Sequence, residues 1–200
     1  MEKRNKKQEK LSDFSDRSTS REFSAGGVVF KKAKEEKSRK KRVLWLVTKS
    51  SPSKIYPKSY WRFPKGWLDD EYGGKKPGAL ARGERKATEK EIQDAALREV
   101  QEEAGVKAKI IKKIGSERYF YKIKERLITK FVTFYLMEWQ KDLPEGFGSE
   151  TSKVEWLVYD EARKKLLHSG ERKVLDKAEE SFRFGNSGKS VIIGAQGEVA

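Results

Sequence analysis

A chain of 200 residues fits one domain of ordinary size, and 36% hydrophobic residues with 11% aromatics, five of them Trp, suffice for one core inside a very polar surface. The 46 basic against 31 acidic residues, a formal net charge of +15, make polyanions the natural partners: phosphorylated small molecules, RNA or an anionic surface. The lack of cysteine excludes disulfides and thiolate metal sites, and no run approaches the roughly 20 apolar residues of a membrane-spanning helix, so no membrane partner is expected.

Residues 1–22 mix Lys, Arg, Glu, Asp and Ser with few apolar positions, the composition of a disordered basic arm. Met1 to Lys10 is charged and no apolar stretch of a secretory signal follows, which predicts a cytoplasmic location. Phe23 to Phe30 and Val43 to Thr48 are β-branched and aromatic runs that read as strands. Between them, Lys31 to Arg42 carries eight basic residues against two acidic ones and reads as an exposed hairpin loop. Ser50 to Tyr60 is loop, and Trp61 to Gly66 (W-R-F-P-K-G) is a short strand ending in a turn. Trp67 to Ala87, polar and punctuated by Gly73, Gly74, Pro77 and Gly83, reads as an insertion loop.

Thr88 to Ala104 is the best-marked helix. Thr88 and Glu91 form a capping-box pattern, Ile92, Ala95, Ala96 and Val100 an apolar stripe, and Gly105 stands at the C-terminal cap. Strands are expected at Lys107 to Ile114, Glu117 to Lys122, Ile128 to Trp139 and Val154 to Tyr159, with a loop at Lys141 to Thr151. Asp160 to Leu167 and Arg172 to Phe182 read as helices, and residues 183–200 as a flexible tail. The domain expected is therefore 23–182, an α+β sandwich.

The chemistry concentrates in Arg98-Glu99-Val100-Gln101-Glu102-Glu103-Ala104-Gly105-Val106. Glu99, Glu102 and Glu103 stand three and four residues apart, so their carboxylates share one helix face and repel near a helix C-terminus. A solvated acidic face is one reading; an oxygen-preferring divalent cation, Mg²⁺ or Mn²⁺, is the other. R-E-V-Q-E-E-A-G-V preceded by F-P-K-G decides between them, because it resembles the signature of the Nudix hydrolases. Val28 and Val29 after Ser24-Ala25-Gly26-Gly27 resemble that family's first strand, especially in members acting on dinucleoside polyphosphates and diphosphoinositol polyphosphates.

The resemblance implies an α/β/α sandwich with a mixed sheet between helices, and Mg²⁺-dependent cleavage of a phosphoanhydride. It implies Gly66, Glu99, Glu102 and Glu103 as metal ligands, with Arg98 bridging the carboxylates. The water-activating base would be one of these acids or a later one, for which Glu150 matches the family's loop acid. The family's spacing places a further Glu eight residues before the Arg-Glu pair, where this chain has Lys90, or six after the glycine, where it has Tyr72. Glu84 is the first replacement considered, followed by Glu89, Glu91 and Glu71.

Lys65 and Arg62 are candidates for phosphate contact, with Lys58 and the loop Lys31 to Arg42 behind them. Tyr119, Phe120 and Tyr121 resemble the aromatic cluster near the base pocket of dinucleotide-cleaving members, and strand alternation puts at least one of the three in the core. His168, alone and without cysteine partners, reads as a helix-end surface residue. Gly188-Lys189-Ser190 lacks the first glycine of a phosphate loop and the strand that leads into one. The substrate expected is a nucleoside polyphosphate, foremost a dinucleoside polyphosphate. Diphosphoinositol polyphosphates and the 5′-pyrophosphate of RNA are alternatives within the chemistry, and a catalytically silent nucleic-acid-binding module is the alternative outside it.

Overall fold

The structure is a computed structural model and describes residues 20–34, 41–54, 57–68, 78–123 and 126–185. The described strands are β1 (Ser20–Lys34), β2 (Lys41–Ser50), β3 (Trp61–Arg62), β4 (Lys65–Trp67), β5 (Val106–Ile123), β6 (Arg126–Asp142) and β7 (Thr151–Leu157). The helices are α1 (Ala79–Arg82), α2 (Glu89–Ala104), α3 (Tyr159–Lys165) and α4 (Ser169–Gly185). The sheet runs β3-β2-β1-β6-β5, with β4 also paired to β1 and β7 to β2. It is mixed: β1 and β6 are parallel, while the other pairings are antiparallel.

Alternation along β1 divides the core. Val28 and Phe30 join Trp45, Phe63, Phe134 and Leu175 on the side covered by α3 and α4. Ala25 and Val29 join Leu46, Ala96, Val100 and Met137 on the side covered by α2. The small side chains Ala95, Ala96 and Ala104 bring α2 close to the sheet, and this fixes where its charged end lies. The arrangement is the expected α/β/α sandwich. Among the described residues no helix is long and apolar enough to cross a membrane.

Several boundaries differ from the sequence expectation. β1 starts at Ser20, and most of the expected arm, residues 1–19, lies outside the described residues. The two strands expected at 107–114 and 117–122 are one continuous β5, because shifts of register around Ile110 and Lys113 absorb the irregular pattern without ending the pairing to β6. Part of the loop expected at 67–87 is the short helix α1, held by buried Leu80, while 69–77 lies outside the described residues. The basic loop 31–42 contributes its ends to β1 and β2, and its centre, 35–40, is also outside. The tail from 186 onward is likewise outside.

Candidate active site

Three segments build the site: the turn between β3 and β4, the C-terminal half of α2, and the loop before β7. The helix is positioned at both ends. Its start is the expected capping box, in which Thr88 Oγ1 accepts from the Glu91 N–H at 3.2 Å and Glu91 Oε2 accepts from the Thr88 N–H at 2.8 Å. At its end Gly105 takes the left-handed conformation, φ +65°, and donates to Gln101. The loop between β6 and β7 docks there, with the Gly148 nitrogen donating to the Glu102 carbonyl oxygen at 2.7 Å.

Glu99 and Glu103 are buried, at 8% and 4% exposure, whereas the Glu102 side chain is 58% exposed. Arg98 bridges its neighbours, with Nη1 2.7 Å from Glu99 Oε1 and 3.1 Å from Glu102 Oε2. Its Nη2 donates to the Trp67 carbonyl at 2.9 Å. Glu103 Oε2 accepts the Lys65 backbone N–H at 2.8 Å, and its Oε1 is ion-paired with Arg62. Gly66 lies directly against Glu99: a methyl group added at Gly66 falls 2.1 Å from the Glu99 carboxyl carbon. This close approach is why the position has no side chain.

Burial pushes the Glu99 carboxyl up to about 7, opposed by Arg98 and reinforced by Glu103 and Glu102. Glu103 is also raised by burial, opposed by Arg62 and Lys65 and reinforced by Glu150. Glu150 lies on the loop before β7, which is fastened to the end of α2 by the Gly148 N–H to Glu102 carbonyl bond. The sequence-predicted acids Glu99, Glu102, Glu103 and Glu150 thus gather around one end of α2. Their side chains are turned to Arg98 and Arg62, and among the described residues no three acidic groups already converge as a cage.

The candidate replacements for the displaced acid are engaged elsewhere. Glu84 pairs with Arg82 at 2.6 Å. Glu89 accepts from the Tyr135 hydroxyl at 2.7 Å and pairs with Lys113 at 3.0 Å. Glu91 serves the capping box, and Glu71 lies outside the described residues. Lys90, at the family's Glu position, pairs with Asp94 on the surface.

On the α4 side of the sheet, the Lys65 ammonium lies 2.7 Å from Glu171 Oε1. Tyr121 donates to Glu22, and Tyr119 sits edge-on to His168 with ring centroids 5.8 Å apart. Phe120 points the other way and is exposed, as alternation requires. His168 is half-buried between Tyr60 and Tyr119 and so is not the surface residue expected, because the two rings close over it. Burial lowers its imidazole pKa.

Sequence reasoning missed Lys130. Its ammonium lies 5.0 Å from the Trp67 ring centroid. Burial, with Lys65 next, depresses it to about 8, against the opposing pull of Glu22. The available signal was a lone lysine inside the apolar run I-T-K-F-V-T-F.

The NUDIX domain family model matches residues 23–178. Among solved structures, a Caenorhabditis elegans Ap4A hydrolase binary complex aligns at 19% identity and TM-score 0.52, over 82% of this chain and 98% of that one. A NUDIX hydrolase from Nitrosomonas europaea aligns at 14% and 0.53, over 80% and 89%. The NUDIX domain of Shewanella oneidensis NrtR complexed with ADP-ribose aligns at 13% and 0.50, over 87% and 97%. No curated protein sequence matches. With the family model spanning the sheet, α2 and α4, the chain belongs to the Nudix domain family of hydrolases.

Proposed function

We propose that this chain is a Mg²⁺- or Mn²⁺-dependent pyrophosphohydrolase acting on a nucleoside polyphosphate, foremost a dinucleoside polyphosphate. The observation that carries the reading is the placement of two buried carboxylates at the end of α2, Glu99 against the side-chain-free Gly66 and Glu103 at the Lys65 backbone N–H, with burial raising both. Buried acids that disfavour their own charge fit a divalent cation, and the donors present are all oxygen, which suits Mg²⁺ or Mn²⁺. Glu99, Glu102, Glu103 and the Gly66 carbonyl are the residues to hold it. When bound, such an ion neutralises phosphate oxygens and acidifies water.

The chain's own groups do the rest. Arg98 orients Glu99 and Glu102. Glu150 accepts the proton of the attacking water, whose oxygen bonds to phosphorus as the bridging P–O bond breaks and the leaving phosphate departs. Arg62 and Lys130 are the cations beside Glu103 for the remaining phosphates, while the Lys65 ammonium is turned to Glu171 and offers the site its backbone N–H. On β5, Tyr119 stands opposite Lys130 in register, and Tyr121 stands opposite Ile128 two positions on. The dinucleotide preference is supported by those tyrosines and by the fold shared with an Ap4A hydrolase.

The test is product release from dinucleoside polyphosphates, nucleoside triphosphates, diphosphoinositol polyphosphates and triphosphorylated RNA, with Mg²⁺ and with EDTA. Metal-dependent turnover of the dinucleotides ahead of the others is the expected result. Turnover of none, with salt-sensitive RNA binding that survives Glu102→Gln, overturns it in favour of a silent RNA-binding module.

A further inference from the structure

Glu171 is fully buried in the first turn of α4, and among the described residues its carboxylate meets no donor besides the Lys65 ammonium. Its contact is ionic, to the Lys65 ammonium at 2.7 Å, with the Lys65 side chain only 12% exposed. Among the described residues no ion pair is more deeply buried. Such a pair is a poor source of stability, because desolvating both charges consumes most of their attraction. Its position suggests another use.

Lys65 faces two ways. Its side chain reaches α4, while its backbone N–H reaches Glu103 on α2. The next residue, Gly66, lies against Glu99. Glu103 already carries the Arg62 guanidinium and feels the Lys65 charge. A second side-chain cation on that carboxylate would leave no negative charge for a divalent ion.

We propose that Glu171 is a positioning residue for the metal-binding carboxylates: it holds the Lys65 ammonium on the α4 side of the sheet, so that Glu103 receives only the backbone N–H of Lys65. The proposal rests on the metal reading of the site given above. Without Glu171 the ammonium is released beside Lys130 and Arg62, which repel it, and Glu103, whose carboxylate its charge already reaches, attracts it. Lys65 then competes with the metal.

The experiment is Mn²⁺ binding to the full chain, followed by electron paramagnetic resonance and calorimetry, with thermal melting alongside. Glu171→Gln is expected to weaken Mn²⁺ by about tenfold, the scale on which outer partners of metal ligands act. Adding Lys65→Met to Glu171→Gln is expected to restore most of that affinity, because the competing cation is gone. A purely structural role would make Mn²⁺ affinity track the melting temperature across the variants, because removing both partners also relieves the unpaired buried charge; competition by the freed ammonium lowers affinity even where melting is unchanged. Glu171→Asp, with its shorter reach, serves the same comparison if the Gln variant does not fold. Wild-type affinity in folded Glu171→Gln, or a loss that Lys65→Met does not reverse, overturns the proposal alone. Failure of the wild-type chain to take up Mn²⁺ overturns the metal reading and the proposal with it.

Discussion

Gly66 and Glu99 are in direct contact: the space beside the glycine Cα is filled by the Glu99 carboxylate, 2.1 Å from where a Cβ would stand. The turn between β3 and β4 and the helix α2 are therefore fitted to one another at a buried carboxylate.

Gly66→Ala must displace Glu99. Because the conflict is with a side-chain end beside a partly exposed turn, the fold should survive while activity falls by about 10- to 100-fold, the usual cost of disturbing a metal ligand's surroundings. Turnover with Mg²⁺, measured beside circular dichroism, checks this. Wild-type turnover would show that Glu99 has no part in the chemistry.

Glu102 is the acid to remove with least structural damage, since its side chain is 58% exposed and its partner Arg98 keeps Glu99 and the Trp67 carbonyl. Glu102→Gln is expected to reduce kcat by about a hundredfold or more, on the scale of losing one electrostatic stabiliser, with melting little changed. Single-turnover kinetics at saturating substrate measures it.

Lys130 sets a pH limit. Burial holds its ammonium at about 8, so the charged form that attracts phosphate is present below that pH and is lost as pH rises through it. In the wild type kcat/KM should decline above about pH 8 beyond any decline in kcat. In Lys130→Arg, which stays charged, that decline should vanish; an unchanged profile would remove Lys130 from phosphate contact.

The capping box is a stability element with its own pH window. Glu91 is held at about 2 by the Thr88 N–H first, then by Arg85 and the Thr88 hydroxyl, against an ordinary value of 4.5. A depressed carboxylate contributes stability in full above its unfolded value and loses it as pH falls toward the folded one. The gap in melting temperature between wild type and Glu91→Gln should thus be constant above about pH 5 and close as pH approaches 2. A gap independent of pH would mean that the charge of Glu91 does not support the helix.

What could be read from the sequence was local. α2 announces itself through Thr88, Glu91, its alanine stripe and Gly105, all within one segment, and β1 through an apolar run buried on both faces. The site residues Arg98, Glu99, Glu102 and Glu103 come with that helix. Lys130 and Glu171 were not legible, because their neighbours Trp67 and Lys65 lie 63 to 106 residues away and meet them only when β4, β1 and β6 are assembled and α4 folds back over them. Glu84, Glu89 and Glu91 likewise look available along the chain, whereas in the fold each has a local or cross-strand partner.

The Arg98 guanidinium reaches across 31 positions to the Trp67 carbonyl while it holds Glu99 and Glu102. One guanidinium thus ties the end of β4 to the end of α2, so the spacing of Glu99 and Glu102 is braced by a cross-tie between two elements and does not rest on helix geometry alone.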